Sequence, residues 1–187
     1  MRKGLLAAFG LIMLAGVAWW AGSAIGELLG TPDNEMHFQR RQEMTQAFLE
    51  RSDVIEVGAK WPDFTLQTLD GEWTSFSQLI KDTTILLIVQ PGCESCELEL
   101  DGLGSLLTDT ATCSRIVLVS DGYPLDLAQI RKSRMIRSPI LIDRGREMSA
   151  SMGGFIYPLN ITVSPDLTII SVVAGRLTEE EALNKIR

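Results

Sequence analysis

Two cysteines three positions apart, in the run Cys93-Glu94-Ser95-Cys96, are the residues of this sequence whose type and spacing best suit chemistry. Such a pair exchanges dithiol for disulfide or supplies two thiolates to a metal. A structural zinc site needs about four ligands, and the sequence adds only Cys113 and the distant His37 as Cys or His donors. A purely structural disulfide across so short a loop contributes little entropy. Redox exchange is the leading reading, and position strengthens it. The pair follows an apolar run and Pro91-Gly92, and it opens a segment where Cys96, Leu100, Leu103 and Leu107 recur every three or four residues, so a helix starts at about Cys93. Unpaired amides and the helix dipole favour a thiolate there. Cys93 is the expected nucleophile. Cys96, one turn on and less accessible, is the expected resolving thiol. Cys113 precedes a strand and reads as a small buried hydrophobe.

The elements that must hold this pair alternate. Trp61-Pro62-Asp63-Phe64 leads into a hairpin, residues 65–69 and 72–76 around Asp70-Gly71. Residues 84–89 form an unbroken apolar run, as suits a strand buried on both faces. Residues 116–119 repeat that pattern and lead through Asp121-Gly122 into a helix over 124–134. A short strand at 140–142 and a short helix at 147–152 follow. Pro158 then opens a strand over 159–163, Ser164-Pro165-Asp166 turns the chain, and 167–173 returns. Thr178 is a good cap for a last helix with acidic residues in its first turn. Parallel units followed by an antiparallel hairpin and a closing helix predict an α/β sandwich.

Composition narrows the partners. The 187 residues carry a formal charge of −7, with no cluster of Lys and Arg, which argues against nucleic acid. The first thirty residues read as an export signal: Arg2 and Lys3 form a basic head, and residues 5–20 are apolar apart from small residues. The run approaches the length of a membrane-spanning helix, and Trp19 and Trp20 suit an interfacial belt. Small residues at 21–24 leave cleavage open as an alternative. With the basic head inside, either outcome delivers the rest of the chain across the membrane. The expected organisation is a signal-anchor or signal peptide over 1–30, a charged, partly amphipathic helical linker over 31–53 and one domain over 54–187. His37, alone in that linker, is assigned no chemistry.

From Val57 to Leu183 the sequence resembles the TlpA/ResA-like membrane-anchored thioredoxins, which include relatives serving cytochrome c and methylamine dehydrogenase maturation. The resemblance runs through Gly58-Ala59-Lys60-Trp61-Pro62-Asp63-Phe64, Leu69-Asp70-Gly71, Cys93-Glu94-Ser95-Cys96-Glu97-Leu98-Glu99 and Tyr157-Pro158. It implies a thioredoxin-like α/β fold: a central mixed sheet flanked by helices, with an N-terminal hairpin and a membrane anchor. It implies site roles for Glu99, three residues after the second cysteine, and for Glu94, directly after the first. It also implies a cis bond before Pro158, facing the disulfide, with the backbone of Tyr157 exposed for a substrate chain to pair with. The activity it implies is that of an extracytoplasmic protein-disulfide oxidoreductase with no cofactor, acting on a disulfide-containing exported protein and recharged by a membrane redox donor.

Two departures from that family bear on potential and substrate fit: Gly92 stands where an aromatic residue often precedes the first cysteine, and Ser95 replaces a proline common between the two. Glu94, Glu97, Glu99 and Asp101 add like charge near the sulfurs, which raises thiol pKa values and opposes the helix dipole. A disfavoured thiolate favours the disulfide and makes the reduced form the better donor, which points to a reductase. Glu97 and Asp101 read more simply as a solvated helix face. Two alternatives stay in view. A peroxiredoxin would place Thr or Ser three residues before its peroxidatic cysteine, where Gln90 precedes Cys93. A copper-handling protein of similar fold would need a histidine in the domain, and His37 lies outside it.

Overall fold

The all-apolar run around Leu86 becomes the centre of the molecule because each of its side chains finds a covered face. The computed structural model describes residues 32–52 and 55–187. Strand β3 (Thr84–Ile88) is buried at every position. It sends Leu86 and Ile88 into one hydrophobic cluster and Ile85 and Leu87 into another, as the two-residue period of a strand requires. Burying a Leu or Ile side chain contributes about 1.5–3 kcal/mol, so this strand anchors both halves of the core.

Strands β1 (Thr65–Thr68), β2 (Trp73–Ser75), β4 (Ile116–Ser120), β5 (Ile140–Ile142), β6 (Leu159–Val163) and β7 (Ile169–Ala174) complete a seven-stranded sheet of order β2-β1-β5-β4-β3-β6-β7. Strand β3 runs parallel to β4, pairing Leu86 with Val117, and antiparallel to β6, pairing Leu86 with Ile161. Strand β5 is parallel to β4, and the β1–β2 hairpin adds antiparallel at that edge. The predicted mixed sheet and hairpin are present. The return strand starts at Ile169, not Leu167, because Leu167 adopts a left-handed conformation with φ 64° at the end of the turn.

The helices lie on both faces. Helices α3 (Glu94–Gly102), α4 (Gly104–Thr108), α5 (Pro124–Ser133) and α7 (Glu179–Ile186) supply Leu100, Leu107, Leu127 and Ile186 to the Ile85 side. Helix α2 (Phe76–Leu79) and α6 (Glu147–Ser151) supply Phe76 and Met148 to the Leu86 side. There Trp61 meets Phe76 edge to face, with ring centroids 6.0 Å apart. The heptad-like spacing of Cys96, Leu100, Leu103 and Leu107 runs across a break: Leu103 leaves the helical region at φ −97°, ψ 8°, between Gly102 and Gly104, residues with low helix propensity. Helix α7 is capped by Thr178, whose hydroxyl accepts from the Glu181 amide at 3.2 Å while the Glu181 carboxylate accepts from the Thr178 amide at 2.8 Å.

Helix α1 (Pro32–Leu49) begins at the expected proline. The compact unit runs from Arg41 to Arg187, so residues 41–49 belong to it and are more than a spacer. Phe48 is buried in the Leu86-side cluster, with Met44 and Leu49 against it. Of the described residues, 32–40 are helical and belong to a separate unit. Among the described residues no helix is long and apolar enough to cross a membrane. The anchor expected over 1–30 lies outside the described residues.

Candidate active site

Val89, just beyond β3, leads through Gln90, Pro91 and Gly92 to Cys93, which caps α3. Gly92 has φ 78°, a left-handed conformation that L side chains rarely adopt; here it turns the chain from strand to helix. Gly122 lies against this loop: a Cβ there would fall 2.5 Å from Pro91 Cδ. The loop after β4 therefore sets the position of the loop after β3.

The Cys93 amide donates to the Gln90 carbonyl at 3.2 Å, and the Cys93 sulfur accepts from the Cys96 amide at 3.3 Å. That contact spends the free first-turn amide of α3 on the sulfur. Cys93 is half-buried and Cys96 is only 1% exposed. Burial, foremost, pushes the Cys96 thiol pKa up; the neighbouring Cys93 and the charge of Glu99 add to it.

Glu99 lies one turn beyond Cys96 on the same helix face and is itself 1% exposed. Its Oε1 accepts from Asn160 Nδ2 at 2.9 Å and from the Leu177 amide at 2.8 Å, while Oε2 is buried with no hydrogen-bond partner. Burial raises its pKa to about 7, against the opposing pull of those two donors and of the Arg176 and Arg41 charges. Near neutrality this group both holds and releases a proton. It is therefore suited to trade one with a neighbouring thiol.

The remaining acids behave differently from the single cluster read in the sequence. Glu97 and Asp101 lie on the solvated face as expected, and there both pair with Arg134, at 2.5 and 2.8 Å. Arg134 thus offsets part of their charge. Glu94 is exposed in the first turn. Of the four acids, Glu99 alone is buried.

The Tyr157–Pro158 bond is cis. Ile88 pairs with Leu159, so Pro158 lies at the sheet end from which the cysteine loop leaves β3. The Pro158 carbonyl accepts from Gly175 at 2.8 Å, whereas the backbone of Tyr157 bonds to none of the described residues, leaving it open to a pairing chain. Cys93 and Tyr157 pack against the same hydrophobic cluster. Burial first, then the charge of Asp121, pushes the Tyr157 phenol up to about 12, with Arg146 opposing. Arg146 in turn donates to Asp121 at 2.7 Å.

Cys93, Cys96, Glu99, Gly92 and the Tyr157-Pro158 pair thus lie toward the same end of the sheet, while Glu94 is exposed to solvent. Sequence reasoning missed Asn160, the Leu177 amide, Arg134 and Gly122. Asn160 carried a signal: an amide within a strand otherwise made for burial needs a polar partner. Neither alternative gains from the geometry. Gln90 offers Cys93 a backbone carbonyl, not a hydroxyl, and among the described residues no three His, Cys, Asp or Glu side chains are grouped to hold a metal.

Comparison with known proteins places the sequence and the fold. The thiol-disulfide oxidoreductase ResA of Bacillus cereus is 21% identical over 138 residues, covering 73% of this chain and 80% of that protein. The thioredoxin-like protein YneN of Bacillus subtilis is 23% identical over 190 residues, covering 100% of this chain and 98% of that one. The crystal structure of StoA from Bacillus subtilis shares the fold, with a TM-score of 0.55 at 20% identity, over 67% of this chain and 97% of that chain. The family model described as AhpC/TSA matches residues 57–172. That span exceeds half of the sequence and holds both cysteines and Pro158, so this chain belongs to the AhpC/TSA family of thioredoxin-like proteins.

Proposed function

We propose that this thiol-disulfide oxidoreductase works as a reductase of disulfides in exported proteins, held on the outer side of a membrane by its N-terminal segment. The observation that carries the reading is the asymmetry of the pair: an accessible Cys93 at the helix start, and a buried Cys96 one turn from a buried carboxylate that titrates near neutrality.

The reaction follows from that asymmetry. The Cys93 thiolate attacks one sulfur of the target disulfide; a mixed disulfide forms and the other target sulfur leaves as a thiolate, to be protonated. The ionised Glu99 takes the proton of Cys96, and the Cys96 thiolate attacks Cys93 Sγ. The Cys93–Cys96 disulfide forms as the second target sulfur leaves. Two electrons pass to the target, which becomes a dithiol. A dithiol of a membrane redox protein then restores the pair. Glu94, Gly92 and the Tyr157 backbone lie where the target docks, and an extended segment pairs with Tyr157 as an added strand. Tyr123 and Leu125, exposed just beyond Gly122, offer apolar surface to a folded partner.

The reductase direction rests on Cys96, whose thiolate is disfavoured by burial, so that the disulfide is the relatively favoured form and the dithiol a good donor. Export rests on Arg2, Lys3 and the apolar run over 5–20. Maturation of cytochrome c or of another exported enzyme is the process this chemistry fits. The deciding experiment equilibrates the full chain with defined thiol–disulfide buffers and reads the potential of the pair. A reducing value, near or below that of thioredoxin at about −270 mV, supports the reductase; an oxidising value points to disulfide formation, and failure to form the disulfide removes the redox assignment.

A further inference from the structure

Glu99 is held by a segment that is itself held from outside the family-matched region. The Leu177 amide binds the Glu99 carboxylate. Immediately before that amide the segment is gripped by α1: the Ala174 amide donates to Thr45 Oγ1 at 2.9 Å, and the Arg41 guanidinium donates to the Arg176 carbonyl. Arg41 also forms a two-bond fork to Glu181, at 2.7 and 3.1 Å, and its stem lies 3.3 Å from where a Gly175 Cβ would stand. Glu181 is the residue that closes the Thr178 capping box. Arg41, Arg176, Leu177 and Glu181 all fall outside residues 57–172.

We propose that Arg41 is a positioning residue for the active site: through the Arg176 carbonyl and Glu181, with Thr45 on Ala174, it fixes the 174–177 segment whose amide binds the Glu99 carboxylate. Helix α1 is thereby part of the machinery that sets when Glu99 accepts a proton. The inference rests on the dithiol reading above.

The groups facing Glu99 give the direction of the effect. They are Cys96 on its own helix, Asn160 of β6 as a neutral donor, Arg176 in the held segment and Arg41 from α1, while Glu181 of α7 pairs with Arg41. Both positive charges and both hydrogen bonds favour the carboxylate. Loss of Arg41 removes one charge and loosens the Leu177 donor, so both changes push the ionisation of Glu99 to higher pH.

The test uses the reduced full chain carrying Cys113→Ser, because the half-buried Cys113 thiol would release colour as well, and 5,5′-dithiobis(2-nitrobenzoate). Attack by Cys93 releases one coloured thiolate and leaves a mixed disulfide; resolution by Cys96 releases the second. In this parent chain the second phase accelerates as pH rises through about 7, where Glu99 ionises. Arg41→Gln moves that midpoint upward and slows the second phase severalfold at pH 7 without changing the first, whereas Arg41→Lys, which keeps the charge, recovers part of the shift. Thr45→Val shifts the midpoint in the same direction and reads the same grip should Arg41→Gln not fold. An unshifted second-phase midpoint in the folded variants overturns the positioning role while leaving the redox reading intact. Absence of any second phase in the parent chain overturns the redox reading itself.

Discussion

The side-chain amide of Asn160 donates to Glu99 Oε1 at 2.9 Å and to the Gly175 carbonyl at 2.9 Å, tying strand β6, which starts at the cis proline, to the helix that carries both cysteines. One buried amide therefore joins the strand after the cis proline to the buried carboxylate of Glu99. That link makes the energetics of Glu99 readable in several experiments.

Glu99→Gln is expected to stabilise the fold and disable its chemistry. The folded pKa is raised from 4.5 to about 7, so the folded state holds this proton more tightly than the unfolded chain. The group's stability is complete below about pH 4.5 and is lost as pH rises through about 7, a loss of about 3 kcal/mol at the alkaline end. Gln keeps an acceptor for Asn160 and Leu177 and carries no charge. Urea unfolding at pH 8 should show the variant more stable by up to about that amount, with near equality at pH 4. A variant less stable than the parent at pH 8 contradicts the buried-charge account.

Cys96→Ser should trap a target and Cys93→Ser should not. The half-buried sulfur makes the first bond, and without Cys96 nothing resolves it. Non-reducing electrophoresis of membranes expressing each variant, followed by mass spectrometry, should show a mixed disulfide at Cys93 in the first and none in the second. Equal trapping by both would reverse the assigned roles.

Limited iodoacetamide should label Cys93 at least about tenfold faster than Cys96 at pH 7, since the thiolate is the reactive form and Cys96 is both buried and pushed up in pKa. Peptide mapping of partly labelled, reduced protein reads the ratio. Preferential labelling of Cys96 would contradict the placement of α3.

Gly122→Ala should cost about 1–3 kcal/mol, because its new methyl would meet Pro91 at 2.5 Å and one loop must yield. As Pro91 leads into Cys93, the variant's disulfide potential should move as well. Thermal unfolding and buffer equilibration read the two effects, and an unchanged potential would show that Gly122 does not position the pair.

Much of this was legible in the sequence because it is encoded locally. The apolar run of β3, the Thr178 cap and the Cys93–Cys96 spacing each lie within one turn or one strand of chain, where periodicity and capping act. Helix α3 shows the limit even there: the leucine spacing continues through Leu103, yet Gly102 and Gly104 break the helix. Glu97 and Asp101 show another, for their partner Arg134 caps the C-terminus of α5, 33 residues beyond Asp101.

By itself, then, the sequence determined a two-cysteine redox site at a strand-to-helix junction in an α/β sandwich, since the types, spacing and periodicity involved are properties of short segments. Only the tertiary structure decided what surrounds Glu99. Its donors arrive from 61 and 78 residues away, and the Arg41–Glu181 pair that steadies one of them spans 140. Burial and charge are sums over such distant neighbours. A carboxylate three residues from a cysteine becomes a proton acceptor near neutrality only when the folded chain closes around it.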